Sequence, residues 1–193
     1  MAKQHVSPII GERVSLRLLI EADLPMTLAW RNQDHIRKWF FHSDVISWEQ
    51  HQHWCTQYFQ RDDDFIFVIE AMTDFHRPVG QIALYRIAWE QRRAEYGRLL
   101  IGAPDAVGKG LAKEATALLL AFAFRTLGLE EIELAVFKTN RAAIAIYQAC
   151  GFREVSEHAG LTQMLLRSPT KEHEKGISER SLIPSFSKEE TMV

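Results

Sequence analysis

The run Val107-Gly108-Lys109-Gly110-Leu111-Ala112 lies between a strand-like and a helix-like segment, and that placement governs the rest of the chain. Before it, Glu95-Tyr96-Gly97-Arg98-Leu99-Leu100-Ile101-Gly102 reads as a strand, ended by Gly102 and Pro104. After it, Leu111, Ala115, Leu118, Leu119, Phe122 and Thr126 recur at three- and four-residue spacing, which predicts an amphipathic helix stopping at Gly128. A glycine-rich turn at the head of a helix is a device for holding phosphate. Glycines let the backbone approach an anion, and the first helical N–H groups point at it with the positive end of the dipole. The turn lacks the Lys-Ser/Thr ending of a P-loop, because Lys109 is followed by Gly110 and Leu111. It also lacks the third spaced glycine of a dinucleotide fingerprint. On its own, then, it reads equally as a phosphate cradle or a tight turn.

The next forty residues separate these readings. Glu131-Ile132-Glu133-Leu134-Ala135-Val136-Phe137 predicts a second strand. Asn140 then opens a helix carrying Ala143, Ile146, Tyr147 and Cys150, ended by Gly151-Phe152. The two motifs together, in this order and spacing, resemble the GNAT superfamily of N-acetyltransferases. Val107 through Ala112 resembles its Arg/Gln-x-x-Gly-x-Gly/Ala motif, and Asn140 through Phe152 its Asn-x-x-Ala-x-x-x-Tyr-x-x-x-Gly-Phe motif. One departure is plain: Val107 stands where the family usually has Arg or Gln.

The resemblance spans roughly residues 9 to 167 and implies an α/β fold, a mixed central sheet flanked by helices. It implies acetyl-CoA as donor, bound by Val107, Gly108, Lys109, Gly110, Leu111 and Ala112. Leu99, Leu100 and Ile101 would pair with the pantetheine arm, Asn140 would hydrogen-bond it, and Tyr147 would protonate the departing thiolate. Glu95 is the implied base, acting through water. Each has a plainer reading: Tyr147 as core, Asn140 as a helix cap, Glu95 as a strand-face partner of Arg93. A module that binds acyl-CoA without catalysis is the alternative from a different class.

With 193 residues the chain suits one domain, expected over 1–167, with 168–193 as a flexible tail rich in Lys, Glu and Ser. A net charge of −2 and a pI near 6.4 argue against general nucleic-acid binding. No apolar run reaches the roughly 18 residues that span a membrane, and Met1-Ala2-Lys3-Gln4-His5 leads into no signal-peptide core. Cys55 and Cys150 are expected to be reduced thiols of a cytoplasmic protein. A homodimer is left open.

Upstream, Val14 to Leu19 reads as a strand, and Glu21-Ala22-Asp23 as the cap of a helix running to Trp30-Arg31. Residues 30–41 show no clean period. Ser47-Trp48-Glu49-Gln50 predicts a capping box opening a helix with His51, Trp54, Cys55 and Tyr58 on one side. Two strands, Phe65 to Glu70 and Val79 to Tyr85, follow. His51 and His53 lie on different helix faces, so no metal site is expected.

The acceptor side should be the N-terminal third. Trp30-Arg31-Asn32, Ile36-Arg37-Lys38-Trp39-Phe40 and Ile46-Ser47-x-x-x-His51-x-x-Trp54 resemble segments of acetyltransferases acting on nucleotide-linked 4-amino sugars, as in pseudaminic acid synthesis. That likeness names Arg31, Arg37, Trp39, His51 and Trp54 as acceptor-binding residues, the cations for a pyrophosphate and the rings for stacking; the plainer reading is tryptophans in the core and cations on a solvated rim. The RimJ/RimL branch, acting on protein N-termini, and the spermidine and aminoglycoside acetyltransferases share the layout. A polyamine pocket should be acidic, and this segment leans basic.

Overall fold

Residues 5–169 are described by the computed structural model, and the expected tail lies outside them from residue 170 onward. The strands are β1 (Ile9–Ile10), β2 (Val14–Leu18), β3 (Phe65–Ala71), β4 (Arg77–Ala88), β5 (Arg93–Ile101), β6 (Glu131–Phe137), β7 (Arg153–His158) and β8 (Leu161–Arg167). They form one eight-stranded sheet in the order β1-β2-β3-β4-β5-β6-β8-β7. The helices are α1 (Leu24–Arg31), α2 (Asp34–Arg37), α3 (Trp48–Gln60), α4 (Leu111–Arg125) and α5 (Arg141–Ala149). All neighbouring strands run antiparallel except β5 and β6, whose connection carries α4, the long crossover a parallel pair requires.

Alternation along the strands divides the core between the two faces of the sheet. On one face Leu16, Phe67, Ile82, Leu84, Tyr96, Ile132 and Leu134 meet Leu111, Ala115, Leu119 and Phe122 of α4 and Ile144 and Tyr147 of α5. On the other, Ile66, Val68 and Ala83 meet Leu24 of α1 and Cys55 and Tyr58 of α3. β3 is covered on both faces, which is why it reads as the unbroken apolar run Phe65-Ile66-Phe67-Val68-Ile69. Each large apolar side chain buried in this way contributes roughly 1.5–3 kcal/mol.

The helix-end signals act mostly as the sequence suggests. The Ser47 hydroxyl accepts from Gln50 N at 3.2 Å, and Gln50 Oε1 accepts from Ser47 N at 2.8 Å, a closed capping box. Asn140 Oδ1 accepts from Ala143 N at 3.2 Å and caps α5. Asp23 departs from expectation. No side chain caps α1, because the Asp23 carboxylate binds Arg17 at 2.6 and 2.8 Å and the Ile20 N–H at 3.0 Å. The ion pair with Arg17 ties β2 to the turn before α1, and a charged partner outbids a helix N–H. β1 is a strand of two residues, too short to show a period in sequence.

Beyond the four-residue α2 the chain crosses irregularly to α3. Polar side chains of the α1–α2 corner hold this crossing in place. Asn32 Nδ2 donates to Ile46 O at 2.8 Å, and Asn32 Oδ1 accepts from Ile46 N at 2.9 Å. Arg31 donates to His42 O, and Arg37 to Ser43 O at 2.6 Å. Phe41 reaches β6, its ring centroid 5.7 Å from that of Phe137.

Candidate active site

β5 and β6 pair only at Arg93–Glu131, Ala94–Ile132 and Glu95–Glu133. Beyond Glu95 they part. A bulge on β5 accompanies the split: Gln81 faces Leu100 and Ala83 faces Gly97, so Ile82 opposes both Arg98 and Leu99. Arg98 takes φ +51° there, and Arg86, at a second bulge on β4, takes φ +49°. Bulges re-aim side chains, and both arginines line the cavity of about 340 Å³ that opens between the diverging strands.

Leu99, Leu100, Ile101, Val107, Ala112, Asn140 and Tyr147, expected from the sequence to hold the donor, all line this cavity. The structure thus brings together seven residues that the two motifs and the preceding strand singled out. Gly108 and Gly110 adopt φ +76° and +79°, the left-handed region that side chains rarely occupy. A Cβ at Gly108 would meet nothing within 4 Å, and one at Gly110 only Arg13 Nη2 at 3.4 Å. These glycines serve the backbone turn and leave open space above it, rather than relieving a clash. Leu111 is buried in the core, while Lys109 is exposed and its carbonyl accepts from Arg13 Nη1 at 3.0 Å. Arg13 Nε also pairs with Glu114 Oε2 at 3.0 Å. Sequence reasoning missed this cation beside the turn, because it lies about a hundred residues away.

Tyr147 is 7% exposed, its ring edge-on to Tyr96 at 5.5 Å and to Phe152 at 6.0 Å. Its hydroxyl makes no hydrogen bond among the described residues. Burial first, and Tyr85 second, push the phenol's pKa up, so it stays protonated and able to donate. Glu95 is half-buried and does not line the cavity. Its Oε1 accepts from Arg86 Nη1 at 2.8 Å, so its partner is Arg86 rather than the expected Arg93. Arg93 instead binds Glu131 at 2.9 Å, with Glu133 at 3.5 Å.

Trp39, Phe40, Phe41 and His42, from the segment expected to face the acceptor, also line the cavity. Arg31, His35, Arg61, Arg86 and Arg98 add cationic or ionisable groups to its wall. Among the described residues Asp64 is the one carboxylate in the lining, and it is taken up by Arg98 Nη1 at 2.7 and 3.0 Å. Arg31 is 3% exposed. Its guanidinium stacks on Phe40 at 4.0 Å, yet Nε and Nη1 are buried with no partner among the described residues. Burial, then repulsion from Arg37, lowers its pKa.

The other expected acceptor residues are placed differently. Trp39 lies at the mouth, but Arg37 is outside the cavity, paired with Asp34 at 2.9 Å. His51 and Trp54 line a separate, smaller cavity of about 20 Å³ behind Arg31 and Arg98. There His51 Nε2 sits 3.3 Å from Thr27 Oγ1, and burial lowers its pKa. Trp54 stacks between His51 at 6.0 Å and Tyr58 at 5.5 Å. No group of three or more His, Cys, Asp or Glu side chains among the described residues could hold a metal ion. None of their helices is long and apolar enough to cross a membrane.

Fold and site define an α/β protein with a ligand slot where two parallel strands part, headed by a glycine turn at a helix start. The description "Acetyltransferase (GNAT) domain" matches residues 13–153, well over half of the chain, and the chain belongs to that family. The spermidine N(1)-acetyltransferase of Vibrio cholerae serotype O1 is 27% identical over 145 residues, 75% of this chain and 82% of that protein. An uncharacterized protein of Methanocaldococcus jannaschii is 25% identical over 151 residues, 77% of this chain but only 30% of that relative's length. Among solved structures, the spermidine N-acetyltransferase from Vibrio cholerae in complex with CoA and spermine shares the fold. Its TM-score is 0.73 at 24% identity, over 81% of this chain and 96% of that one.

Proposed function

We propose that the chain is an N-acetyltransferase that moves the acetyl group of acetyl-CoA directly to a primary amine in a ternary complex, the amine belonging to a nucleotide-linked amino sugar. Acetyl-CoA, when bound, supplies an activated thioester. The free N–H groups at the start of α4, with Lys109 and Arg13 beside the turn, suit its phosphates. The open edge of β5 from Leu99 to Ile101 suits its amide-bearing arm. Tyr147 holds a proton for the leaving sulfur, and Glu95 is the base for the amine.

Arg31 carries the choice of acceptor. A buried guanidinium whose Nε and Nη1 have no partner among the described residues is costly unless an anion arrives to meet it. The other arginines of the cavity, Arg61, Arg86 and Arg98, are already paired with Asp63, Glu95 and Asp64, so Arg31 is the guanidinium that calls for an anion, and we place that anion on the acceptor. A diphosphate-linked amino sugar brings both negative charge and an amine. A polyamine would bring only further positive charge. This reading therefore parts from the acceptor that the Vibrio cholerae relative's name records.

The test is thiol release from acetyl-CoA with a UDP-linked 4-amino sugar, a peptide bearing a free N-terminus, and spermidine. The sugar nucleotide should show the highest kcat/KM. Preferred turnover of spermidine would overturn the reading of the acceptor while leaving acetyl transfer intact.

A further inference from the structure

We propose that Tyr85 is a catalytic residue: its phenol oxygen takes the proton leaving the acceptor amine as its own proton passes to Glu95. The inference rests on the acetyl-transfer reading above and adds a group to the same site. Glu95 does not line the cavity, and Arg86 holds its carboxylate at 2.8 Å. Tyr85 does line it. The two are register partners across β4 and β5, so their side chains stand together on one face of the sheet.

Gly97 is the next residue on that face, and its missing side chain gives the phenol its seat. A Cβ at Gly97 would lie 2.9 Å from the Tyr85 hydroxyl and 3.1 Å from its ring. The Arg98 guanidinium lies over the ring, 4.5 Å from its centroid, and Arg98 is itself locked to Asp64 at 2.7 Å. The hydroxyl is thereby fixed over the strand edge just past the point where β5 leaves β6. Tyr147 lines the same cavity, and Tyr85 is close enough to disfavour its ionisation. One phenol thus serves the amine and the other the sulfur.

The step balances without a phenolate at Tyr85. As nitrogen bonds to the thioester carbonyl carbon, its N–H bond breaks and the electron pair stays on nitrogen. The proton goes to the Tyr85 oxygen while the Tyr85 O–H proton goes to the Glu95 carboxylate. Collapse breaks the C–S bond, and sulfur takes the Tyr147 proton. The Glu95 proton and the Tyr147 phenolate then neutralise each other through solvent, restoring both groups. Burial and the neighbouring Glu95 carboxylate keep Tyr85 in its O–H form, as a relay between two oxygens and a nitrogen needs.

The experiment compares Tyr85→Phe, Glu95→Gln and the double variant, from neutral to alkaline pH, using whichever amine of the three-member panel the wild type acetylates best. The charged groups around Tyr85 are Glu95, Arg86 and Arg98, with Tyr147 across the cavity. Each single variant should lose roughly a hundredfold in kcat with the acetyl-CoA KM unchanged. The double variant should be no slower than the worse single one, and the Tyr85→Phe loss should shrink as hydroxide replaces the relay. If Tyr85→Phe stays within about threefold of wild type while Glu95→Gln is impaired, Tyr85 is removed and Glu95 works through solvent. Losses that multiply in the double variant also overturn the relay. An unimpaired Glu95→Gln removes the base itself, and the relay with it, but leaves the acetyl-transfer reading standing.

Discussion

Replacing Tyr147 by phenylalanine removes one hydroxyl and keeps the ring that packs on Tyr96 and Phe152. Because that hydroxyl has no hydrogen-bond partner among the described residues, its loss should change folding stability by less than about 0.5 kcal/mol, below the usual worth of a hydrogen bond. Catalysis is a different matter. A general acid typically contributes roughly 10²–10⁴ in rate. At about 1.4 kcal/mol per factor of ten, the variant should lose at least about 2.7 kcal/mol of transition-state stabilisation. The assay is steady-state thiol release at saturating amine, with melting curves on both proteins and the acetyl-CoA KM measured alongside. The expected pattern is a kcat at least about a hundredfold lower, an unchanged melting temperature and a little-changed KM. A kcat within about threefold of wild type would refute the assignment and leave Tyr147 as a core residue.

Three further outcomes can be checked. Gly110→Ala forces a side chain to φ +79°, costing about 1–2 kcal/mol, and should weaken acetyl-CoA binding; unchanged affinity by calorimetry in a folded variant would remove the turn from donor binding. Arg31→Met should raise the acceptor KM tenfold or more, roughly the effect of deleting one partner of a buried ion pair, and leave the acetyl-CoA KM in place; an equal rise in both would show a structural role only. His51 has a pKa below its ordinary value when folded, so on acidification the unfolded chain takes up the proton first. Its contribution to stability is complete above the unfolded pKa of about 6.5 and is lost as pH falls from there. The melting temperature should therefore drop on acidification by more in the wild type than in His51→Gln, and parallel drops would show that His51 is not the group responsible.

The glycine turn and the helices around the cavity were legible because their signals are local. The period of α4, the positive-φ glycines before it and the Asn140 cap are all written within a few residues of where they act. β5 and β6 were legible as strands, but their divergence was not. A bulge adds a residue without changing composition, and only Gly97 hinted that backbone or side chain approaches closely there. Arg13 beside the glycine turn and Asp64 bound to Arg98 are contacts across long stretches of chain, invisible to any spacing rule. His51 shows the opposite failure. Its place on one side of α3 with Trp54, Cys55 and Tyr58 was read correctly, yet His51 and Trp54 line a smaller cavity behind Arg31 and Arg98 rather than the main one. Periodicity tells which side of a helix is covered, but not what covers it.

The parting of β5 from β6 also bears on how the sheet breathes. Three register pairs join a plate of β1 to β5 to a plate of β6, β8 and β7, whereas β6 and β8 share seven. β7, at the outer edge of the second plate, is exposed along its whole length. Amide hydrogen exchange should find the C-terminal plate opening as a unit of its own, well below the cost of global unfolding. A donor lying in the slot touches both plates. Its binding should slow exchange on β6 and β8 as well as on β5, so that a molecule lying between β5 and β6 lends rigidity to β8, a strand it never meets.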